Sequence, residues 1–280
     1  MSLQGVVKKD ILDVRRAKLI WGVGLLYTLF TVLFFYGTGS TSESAGELSS
    51  QLFSMAGIAV LVIPLVALVA AYLSVAGERE SGSLKFLLSY PNNRLDVVLG
   101  KLVARSAVVG ASVLFAFVVG LGLGFYYFDS VDLGTYFGFV GLTLLFALVY
   151  VSIAVGISAA TSSRSRAMGA AIGTWFVLNV FWNSFPVTPS DIINFVADKL
   201  GLDISESLLH LITALSPSYA YFVALDFVFA VNPATGKGMP NRTGFDEWFL
   251  EPWFMLVILA FWAVVPLALG YWRFERADLG

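Results

Sequence analysis

Residues 77–101 read GERESGSLKFLLSYPNNRLDVVLGK, and two long apolar runs flank them. Glu78, Arg79, Glu80, Lys85, Arg94, Asp96 and Lys101 make this one of the most densely charged pieces of the chain. Ser81-Gly82 interrupts its first part. Pro91-Asn92-Asn93 breaks the second, because a proline pushes the residue before it out of helical space. Between the breaks, Leu84, Leu87 and Leu88 follow the i, i+3, i+4 spacing of one helical face. The pattern predicts a short amphipathic helix of about two turns, held in water at the mouth of two membrane spans. Such a helix is a surface for a partner to grip. From spacing alone, a solvated loop whose charges keep it out of the bilayer reads equally well.

The remainder is apolar. The 280 residues are 58% hydrophobic and 13% charged, against about 25% charged in average soluble chains, so the chain reads as a polytopic membrane protein. The absence of cysteine excludes disulfides, thiolate metal sites and cysteine nucleophiles. Residues 8–18 are too polar for a signal peptide, and the apolar run after them is long enough to stay as a span.

Spans are predicted at 19–36, 52–76, 97–128, 134–160, 168–187 and 253–272. This gives an all-α, six-span architecture forming one transmembrane domain over 1–280. Residues 1–18 read as a basic amphipathic helix on the inner membrane face, or as a solvated tail. Pro64 predicts a kink in the second span. The run at 97–128 exceeds the roughly 20 residues that cross the hydrocarbon, which leaves Lys101 and Arg105 at the inner interface. Small residues at 120–124 (GLGLG) and at Gly169 and Gly173 are expected to let helices approach closely. The outer loop at 188–251 is expected to carry short helices. One starts at Thr188-Pro189 and stops at Gly201; the 208–230 run reads as short helices that lie on or dip into the outer leaflet without spanning it.

Charge sets the orientation. Of the 17 basic residues, all but Lys199, Lys237 and Arg242 lie in the N-terminus, the 77–105 region, the TSSRSRA turn at 161–167 and the C-terminal tail. The positive-inside rule therefore places both termini and the charged segment, 77–96, in the cytoplasm.

The residues of hydrolytic chemistry are missing. His210 is the one histidine, and there is no H-E-x-x-H and no G-x-S-G. Gly236-Lys237 is followed by Gly238, and Gly100-Lys101 by Leu102, so neither completes a phosphate-cradling G-x-x-x-x-G-K-[ST] loop. No catalytic, metal or cofactor-binding residue is predicted in this chain, and it is not expected to hydrolyse ATP. The spans also lack ionisable residues away from their ends, which ion-coupled carriers use as relays. Asn179 and Asn183, four apart on the fifth span, share a face and are the expected pathway-lining pair. Asn241-Arg242-Thr243 forms a glycosylation triplet in the outer loop.

The pattern E-R-E-x-G-x-L-x-x-L-L-x-x-P, followed by an Arg, an acid and Gly-Lys, resembles the cytoplasmic coupling segment of ABC transporter permeases of the type-2 exporter class. It is carried by Glu78, Arg79, Glu80, Gly82, Leu84, Leu87, Leu88, Pro91, Arg94, Asp96 and Gly100-Lys101. Asn93 stands where that family often has Ser or Thr. The Ser/Arg turn at 161–167 and the ending Phe274, Arg276, Asp278, Leu279 fit the same family. The resemblance implies a permease subunit that forms the substrate pathway and works in export. Its partners would be a second permease, often a second copy of the same chain, and two copies of a separate ATPase that binds ATP and Mg. The site would be an ATPase-docking surface over Glu78, Arg79, Glu80, Gly82, Leu84, Leu87, Leu88, Pro91 and Arg94. The location would be a prokaryotic plasma membrane, with no nucleic-acid partner. Within the family the chain is most similar to permeases serving nitrous-oxide reductase maturation. An ion-coupled secondary carrier and a non-transporting membrane scaffold or assembly subunit are the alternative readings of the same residues.

Overall fold

The computed structural model describes residues 3–16, 19–39, 48–89, 93–182, 187–229 and 247–278. Pro91, Asn183 and the Asn241 triplet lie outside these residues. The described chain begins with α1 (Leu3–Arg16), α2 (Leu19–Gly39) and α3 (Leu48–Ala71). Two short helices, α4 (Ala76–Glu80) and α5 (Ser83–Ser89), precede the long α6 (Arg94–Tyr127) and α7 (Leu133–Ala160). Next, α8 (Arg164–Trp175) runs into a π-helical turn, Phe176–Phe181. Then come α9 (Pro189–Leu200), α10 (Glu206–Ala214), α11 (Pro217–Ala224) and α12 (Pro252–Glu275).

Among the described residues, four helical stretches are long and apolar enough to cross a membrane: Leu48–Glu80, Arg94–Tyr127, Leu133–Ala160 and Pro252–Glu275. The count becomes five if α10 and α11 are taken as one broken span. The expectation of six is therefore met in part. In α2, 21 residues long, the stretch Trp21–Gly37 is also apolar. The expected fifth span is broken in its regularity, twelve residues of α8 passing into the π-turn.

At the centre of the packing stands α7, buried along most of its length from Tyr136 to Ala159. Its tightest neighbour is α12. A Cβ on Gly156 would stand 2.4 Å from the Pro266 carbonyl oxygen, and one on Gly270 would stand 2.2 Å from that of Gly156. Only glycine lets these two backbones meet, the small-residue packing by which membrane helices associate. On the other side, Gly120 of α6 admits Thr31 and Phe35 of α2, as the GLGLG run predicted, whereas Gly122 meets nothing.

Local chemistry ends the helices where the sequence indicates. Asp132 starts α7, its carboxylate accepting from the Gly134 backbone N–H and the Thr135 hydroxyl. Thr188 and Asp191 form a capping box ahead of Pro189, and Gly201 closes α9 in the left-handed region at φ +67°. The 90° bend between α10 and α11 falls where Ser216 caps α11 and Pro217 opens it. Trp182 and Trp262 donate their indole N–H groups to the carbonyls of Ile212 and Leu215, which holds that bend against the bundle. The described part of the 208–230 run thus forms short helices, and α11 is buried against α7 and α12.

Candidate functional site: the charged segment and its anchors

Residues 76–101 gather one end of the molecule. The unsupported N-terminus of α4 offers two free backbone N–H groups, at Val75 and Ala76, and both donate to the hydroxyl of Ser158 on α7, at 2.9 and 3.0 Å. A turn at Gly82, φ +74°, then separates α4 from α5; a residue with a Cβ is disfavoured there. Asn93 opens α6 through a reciprocal capping box with Asp96, accepting at 2.7 Å and donating at 3.2 Å. Its side chain does what a Ser or Thr does at that position.

The three charged residues of α4 reach α6, α1, the C-terminal tail and α8. Glu78 accepts from Lys101 of α6 at 2.6 Å and from Lys9 of α1 at 3.0 Å. Arg79 donates to the Asp278 carbonyl at 3.0 Å. Glu80 accepts from the backbone N–H of Arg164 at 2.6 Å, a negative charge set at the positive end of α8. Arg94 repeats the tail contact, its Nη1 donating to the carbonyls of Phe274, Glu275 and Ala277 at 2.5, 2.9 and 2.8 Å. Two arginines thus clasp the end of α12, where unpaired carbonyls and the negative end of the helix dipole favour cations.

Beneath Glu78 lies a buried ion network. Lys101 (2% exposed) also meets Asp10 (1% exposed) at 2.6 Å, and Arg105 binds the same carboxylate at 2.9 Å. Arg105 further donates to the Ala70 carbonyl of α3 at 3.0 Å. Charges this deep persist only when paired. One turn away Val6 fits over Gly100, where an added Cβ would stand 2.6 Å from Val6 Cγ1. The N-terminal helix is thereby pinned to the segment by both charge and shape.

Of the residues expected to form the docking surface, Leu84 and Leu87 are buried in the core. Glu78, Arg79 and Arg94 are engaged within the chain, Glu80 is half-exposed, and Gly82 makes the turn. The side chain of Leu88 and all of Pro91 lie outside the described residues. These residues build the segment. Its outward face is presented by Lys85, which is exposed, and Phe86, 75% exposed. Phe86 breaks the Leu84/Leu87/Leu88 periodicity, and that off-face aromatic was the available signal for it. Asp10 and Ser158 had no signal in their own neighbourhoods.

Of the expected pathway-lining pair, Asn179 lies within the described residues. Asn179 is fully buried, with Oδ1 accepting from Tyr150 at 3.0 Å and Ser218 at 2.6 Å, and Nδ2 donating to the Trp175 carbonyl at 3.0 Å. Its Oδ1 joins α7 and α11 to the π-turn, and its Nδ2 bonds back to the end of α8. Nearby, Thr143 and the Tyr221 hydroxyl pair at 3.0 Å. By contrast Gly169 and Gly173 meet nothing within 4 Å, and Ile172 and Phe176 are exposed beside them. This close-packing face of α8 has no partner helix within the described chain.

A helical bundle with four stretches long and apolar enough to cross a membrane, and a charged segment bonded to α1 and to the end of α12, has the architecture of a polytopic membrane protein. The comparisons give its family. The family model described as "ABC-2 family transporter protein" matches residues 4–279, and the chain belongs to that family. A protein of Pseudomonas aeruginosa named "Probable ABC transporter permease protein NosY" is 26% identical over 281 residues, covering 98% of each chain. A protein of the same name from Stutzerimonas stutzeri is 28% identical over 178 residues, 61% of this chain and 64% of the relative. This chain is therefore a multi-pass membrane protein, the membrane subunit of an ABC transporter, and the family implies an ATPase partner subunit.

Proposed function

We propose that the protein is an export permease whose α4–α5 segment docks a separate ATPase, with both termini in the cytoplasm and six membrane crossings. The ATPase, present in two copies, binds ATP and Mg. The permease pairs with a second copy of itself across the open Gly169/Gly173 face of α8, the substrate pathway forming where the copies meet. The observation that carries the reading is the splay of Glu78, Arg79 and Glu80 to α6 and α1, to the C-terminal tail and to α8. A push on the outer face of α5, at Lys85 and Phe86, is delivered at once to several elements through contacts of 2.6–3.0 Å. The relatives named as probable ABC transporter permeases support the permease role, and the sequence resemblance to permeases serving nitrous-oxide reductase maturation points to that subgroup, with the cargo left open.

The test is gentle purification of the tagged protein from its own membranes, with Phe86→Asp and Lys85→Glu beside wild type. A Walker-type ATPase is expected with wild type and expected to be lost from the double variant, while the variant keeps its thermal stability. Wild type that brings no ATPase in several detergents overturns the reading and moves the scaffold and secondary-carrier readings forward.

A further inference from the structure

Between α1 and the interfacial turns of α6 runs an open groove of about 480 Å³, lined by Gln4, Val7, Lys8, Ile11, Leu12 and Val103. Its walls are apolar, yet Ile11, Leu12 and Val103 are 37%, 39% and 48% exposed. Lys8 stands at its rim, solvent-exposed, and makes no ion pair among the described residues. Asp13, the nearby acid, lies about 140° round α1 from Lys8, away from the groove. Where α1 meets α4 and α6, three cations (Lys9, Lys101, Arg105) face two carboxylates (Asp10, Glu78), which leaves one positive charge in excess.

We infer that this groove is a binding site for an anionic phospholipid, its acyl chain along Val7, Ile11, Leu12 and Val103 and its phosphate headgroup at Lys8. Apolar walls with a lone cation at the rim match an amphiphile with a negative head. A basic residue near a membrane surface favours anionic lipid over zwitterionic lipid, and an amphipathic helix carrying Lys on its polar side is suited to that interface. The site is coupled to the machinery. Through Val6 on Gly100 and Asp10 on Lys101, the position of α1 is the position of the coupling segment. Lipid in the groove holds α1 down and keeps the Lys9–Glu78 contact made. The inference rests on the proposed orientation, with this end at the inner leaflet.

Native mass spectrometry of the full chain, released from detergent, tests it without reference to the ATPase. Phosphatidylglycerol and phosphatidylcholine are titrated separately onto delipidated wild type, Lys8→Gln and Lys8→Glu. Phosphatidylglycerol is expected to bind wild type more tightly than phosphatidylcholine, and to weaken about fivefold in Lys8→Gln and about 25-fold in Lys8→Glu, from roughly one unit of lipid attraction per charge. Phosphatidylcholine binding is expected to be the same in all three. Ile11→Asn is expected to weaken both lipids alike. Equal affinity for the two lipids, or unchanged phosphatidylglycerol binding in Lys8→Glu, overturns the site. So does a Lys8→Glu protein that keeps its lipid but loses the ATPase, since the groove is then a protein surface. Loss of the ATPase from wild type leaves the lipid result standing and fails only the docking proposal.

Discussion

The ammonium group of Lys101 lies 2.6 Å from Asp10 on one side and 2.6 Å from Glu78 on the other. One lysine on α6 therefore joins the N-terminal helix to α4, with almost no water around it.

Removing that lysine leaves Asp10 with Arg105 and Glu78 with Lys9, without the cation that lies between the two carboxylates. Lys101→Met is expected to cost about 1–3 kcal/mol, less than the penalty for a buried charge left wholly unpaired. Lys9→Met, at the exposed edge of the same network, is expected to cost about 0–1 kcal/mol. Thermal unfolding of the two variants in the same detergent measures the difference; equal losses would mean the network is more hydrated than its burial indicates.

Gly156 and Gly270 should tolerate no side chain, because the atoms in the way are backbone. Gly156→Ala or Gly270→Ala is expected to destabilise by about 1–3 kcal/mol or more through overpacking, with the α7–α12 contact forced apart. Gly169→Ala and Gly173→Ala meet open space and should leave monomer stability unchanged. If the α8 face joins two copies, a bulkier Gly173→Phe should abolish dimer cross-linking through a cysteine at position 172 while the melting temperature stays constant.

Arg94 holds three carbonyls at the end of α12. Charge-assisted bonds of this type contribute about 1.5–3 kcal/mol. Arg94→Met should therefore raise hydrogen exchange and protease sensitivity in residues 273–278 before it affects α7. Uniform change across the bundle would show that the clasp is not a local device.

Asp191 caps α9, and its carboxyl is held below the usual carboxylate range by the Thr188 hydroxyl and then by the Thr188 backbone N–H. A carboxyl whose pKa is lower in the folded state contributes stability that is complete above its unfolded value and vanishes as pH falls through the folded one. Amide protection in the first turn of α9 should thus fall as the solution is acidified past the ordinary carboxylate range. Asp191→Asn should remove that pH dependence; a wild-type helix indifferent to acid would show that the box adds nothing.

Much of this molecule is local and could be read along the chain. Apolar runs specify membrane helices because no other structure there satisfies the backbone. Ser81-Gly82, Asn93 with Asp96, and Thr188-Pro189 with Gly201 carry their own turn and cap chemistry. The distribution of basic residues groups the same segments that the fold brings to one end, and the E-R-E and tail motifs carried the family. What the tertiary structure decided is which partners these residues take. Asp10, Lys101 and Ser158 are separated by dozens of residues, and no periodicity pairs them. The inward turn of Glu78, Arg79 and Arg94 shifted the exposed face to Lys85 and Phe86. Asn179, polar on an apolar helix, looked like a pathway residue. Only packing could reveal Tyr150 and Ser218 waiting for its amide, because a buried polar group takes whatever partner the fold brings within reach, however distant in sequence.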